Sequence, residues 1–294
     1  MFKLGIDLGG TKIEGIVLGK NNEELFRKRI STEQKYGYEH ILNNIKNLYH
    51  SMRSEINDQP HTFGIGVPGA VSYQSGSLKN ANTECLNGKP LQQDLERNLA
   101  HPVAIENDAN CFALAESTLG VAQGKDLVFG VIMGTGCGGG IVYQGKVWSG
   151  IQSICGEWGH MSIDGDGPNC YCGNRGCVET YISGSGLEKR YQEKFQTQKS
   201  LIEIMSDYDN GLEYVQGFIG QFYKNFGRSL ANLINVLDPD LIVLGGGVSN
   251  IDELYTIGLE QVSQYVFSDS LETPIAKNQL GDSAGVLGAA FIGI

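Results

Sequence analysis

Leu4–Lys20 reads LGIDLGGTKIEGIVLGK, and Phe129–Lys146 reads FGVIMGTGCGGGIVYQGK. The second stretch repeats the first. Gly5 aligns with Gly130, Leu8 with Met133, Gly9 with Gly134 and Gly15 with Gly140. Ile16–Val17 then aligns with Ile141–Val142 and, after one inserted residue, Gly19–Lys20 with Gly145–Lys146. Each copy is an apolar run, a glycine-rich turn and a second apolar run, which predicts a β-hairpin. An internal repeat of this kind implies two related domains. Glycine turns expose backbone N–H groups, and such nests hold phosphate oxygens. Tight hairpins without a ligand are the plainer alternative, although consecutive glycines weaken a strand unless something must come close. Gly134, Gly136 and Gly139 spell a formal GxGxxG. That fingerprint must open a helix, whereas here it opens a strand. No GxxxxGK[ST] occurs, so a P-loop is excluded.

Outside the repeat, strands and helices alternate, which places the chain in the α/β class. Ile41, Ile45, Leu48 and Met52 fall at helical spacing and predict a helix near Tyr38–Met52. A strand at Thr62–Val67 ends in Pro68-Gly69, Leu91, Leu95 and Leu99 mark another helix, and Pro102–Ile105 reads as a strand. Asp108 follows at a strand-to-helix junction. A long amphipathic helix is expected near Phe222–Leu237, closed by Asp238-Pro239. Leu241–Leu244 is a buried strand, followed by Gly245-Gly246-Gly247 and a helix capped by Ser249 or Asn250. The end, GDSAGVLGAAFIGI, reads as a small-residue helix that packs back on the first domain. These readings predict lobes at 1–118 and 119–280, with a helix at about 281–294 returning to the first.

Composition narrows the function. The chain has 294 residues, 41% hydrophobic and 19% charged, as in ordinary globular proteins. A net charge of −11 and the lack of a basic run argue against nucleic acid as a partner. No segment approaches the roughly 18 apolar residues of a membrane span, and the N-terminus is no signal peptide, so a cytoplasmic location is expected. Seven cysteines in such a chain suggest metal rather than a disulfide framework. Cys85, Cys111, Cys137 and Cys155 stand apart and read as packing residues.

The segment Gly156–Glu179, GEWGHMSIDGDGPNCYCGNRGCVE, holds His160, Cys170, Cys172 and Cys177. A Cys₃His set suits tetrahedral zinc, with no metal at all as the plainer alternative. Such a set would leave no position for a catalytic water, which argues for a structural zinc. A zinc hydrolase is disfavoured on that ground and because HExxH is missing. Glu157 and Glu179 flank the cluster. Carboxylates accept paired hydrogen bonds from neighbouring hydroxyls, which suits a sugar, while solvated surface acids are the alternative. Asp7, in front of Gly9-Gly10-Thr11-Lys12, either caps its turn or serves Mg²⁺ beside a phosphate nest. Asp108 either caps a helix or acts as a general base on a substrate hydroxyl, with Asn107 orienting that hydroxyl.

These motifs together resemble the ROK family (repressors, open reading frames and kinases) along nearly the whole length. They are DLGGTK at 7–12, GIGVPG at 64–69, ENDAN at 106–110, GTGCGGG at 134–140, GEWGH at 156–160, CYCGNRGCVE at 170–179 and LGGG at 244–247. The resemblance implies a two-lobed actin-like, hexokinase-type ATPase fold, built of duplicated RNase H-like domains with an active-site cleft between the lobes. It implies an ATP-dependent hexose kinase acting on a sugar 6-hydroxyl, with Asp108 as catalytic base. Gly69, Asn82, Asn107, Glu157, His160 and Glu179 would bind the sugar. Asp7, Gly9, Gly10, Thr11, Lys12, Gly134, Thr135, Gly136, Gly138, Gly139, Gly140, Gly245, Gly246 and Gly247 would hold ATP with Mg²⁺. His160 would serve twice, as ligand to the structural Zn²⁺ and beside the sugar. A homodimer is expected. KNANTECLNGKPL at 79–91 and CYCGNRGCVETYISGSG at 170–186 look most like the bacterial fructokinase (mannokinase-type) branch, which makes fructose the expected substrate. N-acetylglucosamine, N-acetylmannosamine and glucose kinases of the same family are the alternatives. A ROK repressor is disfavoured: it would need a DNA-binding domain before the phosphate motif, which starts at Leu4.

Overall fold

A computed structural model of the chain describes residues 1–293. In chain order the elements begin with β1 (Phe2–Leu8), β2 (Lys12–Leu18), β3 (Glu24–Ser31), α1 (Tyr38–Glu55), β4 (His61–Val67), β5 (Ala70–Val71) and β6 (Leu78–Lys79). They continue with α2 (Leu91–Leu99), β7 (Ala104–Asn107), α3 (Asp108–Thr118), β8 (Leu127–Met133), β9 (Cys137–Tyr143), β10 (Lys146–Val147), α4 (Glu179–Ile182) and α5 (Gly184–Phe195). The last are α6 (Leu201–Asp209), α7 (Glu213–Leu237), β11 (Leu241–Gly245), α8 (Ile257–Tyr265), β12 (Ile275–Lys277) and α9 (Ala284–Ile292).

The chain divides into two compact units. One comprises Met1–Gln123, Gly140–Cys155 and Leu280 onward; the other comprises Gly124–Gly139 and Gly156–Gln279. The repeat seen in the sequence is a repeat of topology. One five-stranded sheet runs β3-β2-β1-β4-β7 and the other β10-β9-β8-β11-β12. In the first, β1 pairs antiparallel with β2 and parallel with β4. In the second, β8 lies between β9 and β11 and pairs parallel with β11. Both hairpins therefore occupy the same place in their sheets.

In the first unit, α1 buries Ile41, Ile45, Leu48 and Met52, the stripe expected from their spacing. They join Leu4, Ile6, Phe63 and Ile65 in one core, each fully buried large side chain contributing roughly 1.5–3 kcal/mol. The C-terminal helix α9 belongs to this unit and packs on β1, β4 and α3. Its close approach requires glycine: a Cβ on Gly5 would stand 2.4 Å from the backbone N of Ala290, and one on Gly64 2.1 Å from the Ala289 carbonyl.

Two expectations in the second unit need correction. Helix α7 starts at Glu213, nine residues before Phe222, because its buried stripe continues back through Val215, Phe218 and Ile219. Gly217 and Gly220 disguise that continuation. The helix expected directly after Gly245–Gly247 begins only at Ile257, with Thr256 before it and no side-chain cap. Gly246 has φ 80°, and two 3₁₀ turns, Gly247–Asn250 and Asp252–Tyr255, fill the interval. Ser249 Oγ caps nothing; it donates to the Gly246 carbonyl at 2.7 Å.

Candidate active site

Strand β1 delivers Asp7 to the mouth of the first glycine turn, where Gly9 N–H donates to the Lys12 carbonyl at 2.9 Å. The ladder sets Asp7 opposite Glu14 on one side and Gly66 on the other. Burial first, then the charges of Asp108 and Glu14, push the Asp7 carboxyl up to about 7. Glu14 is itself buried and takes ion pairs from Arg29 at 2.8 Å and Arg27 at 3.5 Å. A Cβ on Gly285, at the start of α9, would stand 3.2 Å from the Asp7 carboxyl. Thr83 Oγ1 is buried against Gly10, 3.4 Å from where a Cβ would lie there. Among the described residues it has no hydrogen-bond partner.

The ENDAN corner is built from the end of β7 and the first turn of α3. Asn107 is the N-cap residue of α3: its Oδ1 accepts the Ala109 N–H at 2.9 Å while its amide donates to the Gly69 carbonyl at 3.0 Å, and Asp108 Oδ1 shares the same N–H at 2.8 Å. Asp108 is exposed in the first turn of the helix, where the dipole favours a carboxylate. Behind it, Glu106 Oε1 accepts from Asn107 N–H and Asn110 Nδ2, both at 2.9 Å, and Oε2 accepts from the Ser149 hydroxyl. Gly69 must be glycine, since its φ is 103° and a Cβ would stand 2.5 Å from the Lys79 carbonyl. Asn82 lies exposed on the stretch that follows β6.

In the second unit the glycine hairpin and the Gly156–Glu179 segment pack on one another. Trp158 Nε1 donates to the Gly138 carbonyl at 2.9 Å, and a Cβ on Gly139 would strike the Trp158 ring at 2.7 Å. Glu179 Oε2 accepts the Cys137 N–H at 2.9 Å. Gly184 N–H, at the start of α5, donates to the Gly134 carbonyl at 2.8 Å, and the Ser185 hydroxyl donates to the Thr135 carbonyl. Gly246 packs against the Met133 backbone, which brings the Gly245–Gly247 turn beside the hairpin. The expected phosphate glycines thus divide into two groups. Gly139, Gly140 and Gly246 are explained by close packing on the protein itself, whereas Gly134 and Gly247 face open space.

The donor atoms of His160, Cys170, Cys172 and Cys177 lie within 4.8 Å of one another. His160 Nδ1 stands 3.6 Å from Cys170 Sγ, and Cys172 Sγ 3.6 Å from Cys177 Sγ. Tetrahedral ligands on zinc, with bonds near 2.3 Å to sulfur, stand about 3.7 Å apart, so the set fits a structural zinc site. Burial pushes the Cys177 thiol up to about 12, and a bound cation would reverse that, because coordinated thiols lose their proton. The second imidazole nitrogen, Nε2, lies 3.1 Å from the Tyr171 hydroxyl. Glu157 immediately precedes the 3₁₀ turn Trp158–His160 and is exposed. Of the other cysteines, Cys111 and Cys137 are buried and Cys85 and Cys155 half-buried.

The first unit therefore carries Asp7, Gly69, Asn82, Asn107 and Asp108, and the second carries Glu157, His160, Glu179 and the four-residue cluster. Glu14, Thr83, Glu106 and Tyr171 were not anticipated. Glu106 and Tyr171 sit inside motifs already singled out, ENDAN and CYC; Glu14 and Thr83 become visible only through ladder register and packing. Among the described residues, no helix is long and apolar enough to cross a membrane.

Two α/β units with matching mixed sheets, each presenting a glycine hairpin, form the fold of ROK hexokinase and glucokinase structures. The chain belongs to the ROK family, whose model matches residues 3–293. It is 37% identical over 300 residues to the N-acetyl-D-glucosamine kinase of Vibrio atlanticus, covering 99% of each chain. With the N-acetyl-D-glucosamine kinase of Haemophilus influenzae it shares 38% identity, covering 98% of each. Among solved structures it resembles the ROK hexokinase from Thermus thermophilus, with TM-score 0.91, 31% identity and coverage of 100% of this chain and 98% of that one. A ROK glucokinase from Streptomyces griseus, solved with glucose and AMPPNP, aligns with TM-score 0.78 and 26% identity over 100% and 99%. The expected fructokinase branch is not supported, since these relatives are N-acetylglucosamine kinases. The short motifs that suggested fructose are outweighed by similarity along the full length.

Proposed function

We propose that this kinase transfers the γ-phosphate of ATP to the 6-hydroxyl of N-acetyl-D-glucosamine. The observation that carries this reading is identity of 35–38% along essentially the whole chain to kinases of that sugar. Asp108 takes the proton from the sugar hydroxyl, the hydroxyl oxygen attacks the γ-phosphorus, and ADP leaves. The Ala109 N–H, donated to Asp108 Oδ1 at 2.8 Å, orients that carboxylate, and Asn107, pinned between the same N–H and the Gly69 carbonyl, stands beside it to orient the sugar hydroxyl. Glu157, His160 and Glu179 hold the other sugar hydroxyls. Glu179 Oε2 is already engaged by Cys137, so Oε1 is the oxygen offered to the sugar. The two glycine hairpins and the Gly245–Gly247 turn cradle phosphate oxygens with backbone N–H groups. Asp7 and the phosphates would hold Mg²⁺, which supplies charge neutralisation when bound. The zinc, held by His160 and the three cysteines, keeps the sugar-binding carboxylates in place.

A coupled ADP-release assay on N-acetylglucosamine, N-acetylmannosamine, glucose, mannose and fructose tests this. The expected result is the highest kcat/KM with N-acetylglucosamine; preference for fructose would overturn the choice of sugar. Asp108→Asn should lower kcat by roughly 10²–10⁴-fold while leaving ATP binding near normal. Near-normal turnover in that variant would remove Asp108 from the role of base.

A further inference from the structure

We propose that Tyr171 is a displaceable gate on the sugar face of His160. The inference rests on the reading of His160 as a sugar ligand and adds a residue that sets sugar affinity.

His160 turns Nδ1 toward Cys170 Sγ and leaves Nε2 pointing away from the cluster. An imidazole whose Nδ1 is committed to a metal carries its proton on Nε2 and can only donate there. That donor is the natural partner for a sugar hydroxyl, and here the Tyr171 hydroxyl accepts it at 3.1 Å. The two rings meet edge to face at 90°, with centroids 5.2 Å apart. Tyr171 is nonetheless 78% exposed, so little packing opposes its departure. Its main chain is a different matter. It lies between Cys170 and Cys172, two members of the cluster, and is anchored by them. The result is an exposed phenol on an anchored main chain, with its hydroxyl in the position a sugar hydroxyl would take.

A sugar that hydrogen-bonds Nε2 must first displace Tyr171. The bond lost to the phenol is regained with the sugar, so the gate costs affinity without blocking the site. It also keeps the buried side of the imidazole in one tautomer when no sugar is present. The side chain at 171 thereby sets how tightly a given hexose binds.

Tyr171→Phe keeps the ring and removes only the competing oxygen. It should lower the sugar KM roughly two- to tenfold, the span of one ordinary hydrogen bond. The effect should fall on the sugar KM far more than on kcat or the ATP KM. Zinc content by elemental analysis should match the wild type. Sugar added to the wild type should also produce a tyrosine ultraviolet difference spectrum that Tyr171→Phe lacks. An unchanged or raised sugar KM in Tyr171→Phe, or a difference spectrum that persists in it, overturns the gate. Wild-type turnover on the sugar panel decides the underlying reading separately. If a sugar is phosphorylated and Tyr171→Phe leaves its KM unchanged, the gate alone falls. If no hexose is turned over, both fall.

Discussion

Asp7 is an acid held in a place that resists its charge. Burial, Asp108 and Glu14 raise its carboxyl from 3.8 to about 7. The folded chain therefore binds this proton more readily than the unfolded chain. The stability it contributes is fully present below about 3.8 and is lost as pH rises through about 7. Asp7→Asn, neutral at every pH, should gain on the wild type from about pH 4 to about pH 7 and hold a constant lead above that. At about 1.4 kcal/mol per unit, the ceiling on the lead is about 4 kcal/mol, and partial solvent contact keeps it lower. Unfolding midpoints of the two proteins across a pH series measure it. Curves that stay parallel throughout would mean Asp7 titrates normally. Half of this residue's setting was legible in the sequence, because DLGGTK puts an acid before a glycine turn. The other half was not. Glu14 reaches Asp7 by antiparallel register and Asp108 by tertiary packing, and neither relation has a sequence spacing to betray it. The ENDAN corner is similar: Asn107 and Asp108 share the Ala109 N–H, and no sequence spacing betrays the bond from Asn107 to the Gly69 carbonyl.

Glycine decides much at the scale of elements, and the chain has 41 of them. Read as letters they look alike. In the fold they do three jobs: permitting a positive φ, permitting contact, or nothing specific. Gly288 on α9 is a contact glycine, since a Cβ there would stand 1.8 Å from the Cys111 carbonyl of α3. Gly217 on α7 has nothing within 4 Å. Gly288→Ala should therefore force α9 off α3 and destabilise by about 1–3 kcal/mol or more. Gly217→Ala should stabilise by roughly 0.5–1 kcal/mol, because alanine loses less freedom in a helix. Denaturant titrations of the two variants give opposite shifts in midpoint; shifts of the same sign would sink the distinction. This is also why α7 was read too short from sequence. Gly217 and Gly220 look like breakers, yet Val215, Phe218 and Ile219 keep the stripe buried through them. The hairpins and the parallel strands β4, β7 and β11 were legible because each is a short local pattern, whereas the three-residue β12 was not read. The long gap before α8 was not, because 3₁₀ turns have no periodicity of their own.

Across the whole molecule the repeat in sequence reappears as one strand order used twice. The return of Gly140–Cys155 to the first unit leaves no mark in the chain, since it is set by packing inside a continuous strand, β9. No single unit carries all the residues proposed for the site. In the second unit, everything assigned to the sugar hangs on the Gly156–Glu179 segment, which contains no regular strand and no helix before α4. Local backbone bonds such as Ile163 N–H to the Gly176 carbonyl and Val178 N–H to the Met161 carbonyl hold it, and four metal bonds would add a restraint to these. His160 is a cluster member, and Glu179 lies two residues after another, Cys177. Removing zinc by chelation, or weakening its site with Cys172→Ser, should thus raise the sugar KM by about tenfold or more, in line with losses of support around metal sites. The ATP KM should change less, because only part of the proposed ATP site packs on this segment and the Gly9–Lys12 turn sits in the other unit. The unfolding midpoint should fall as well. Metal content, both KM values and the midpoint, measured on one preparation, separate the outcomes. A zinc-free Cys172→Ser protein that keeps its sugar affinity would show that the segment's own hydrogen bonds, among them Glu179 to Cys137, hold the carboxylates, and that the zinc serves stability without serving the sugar.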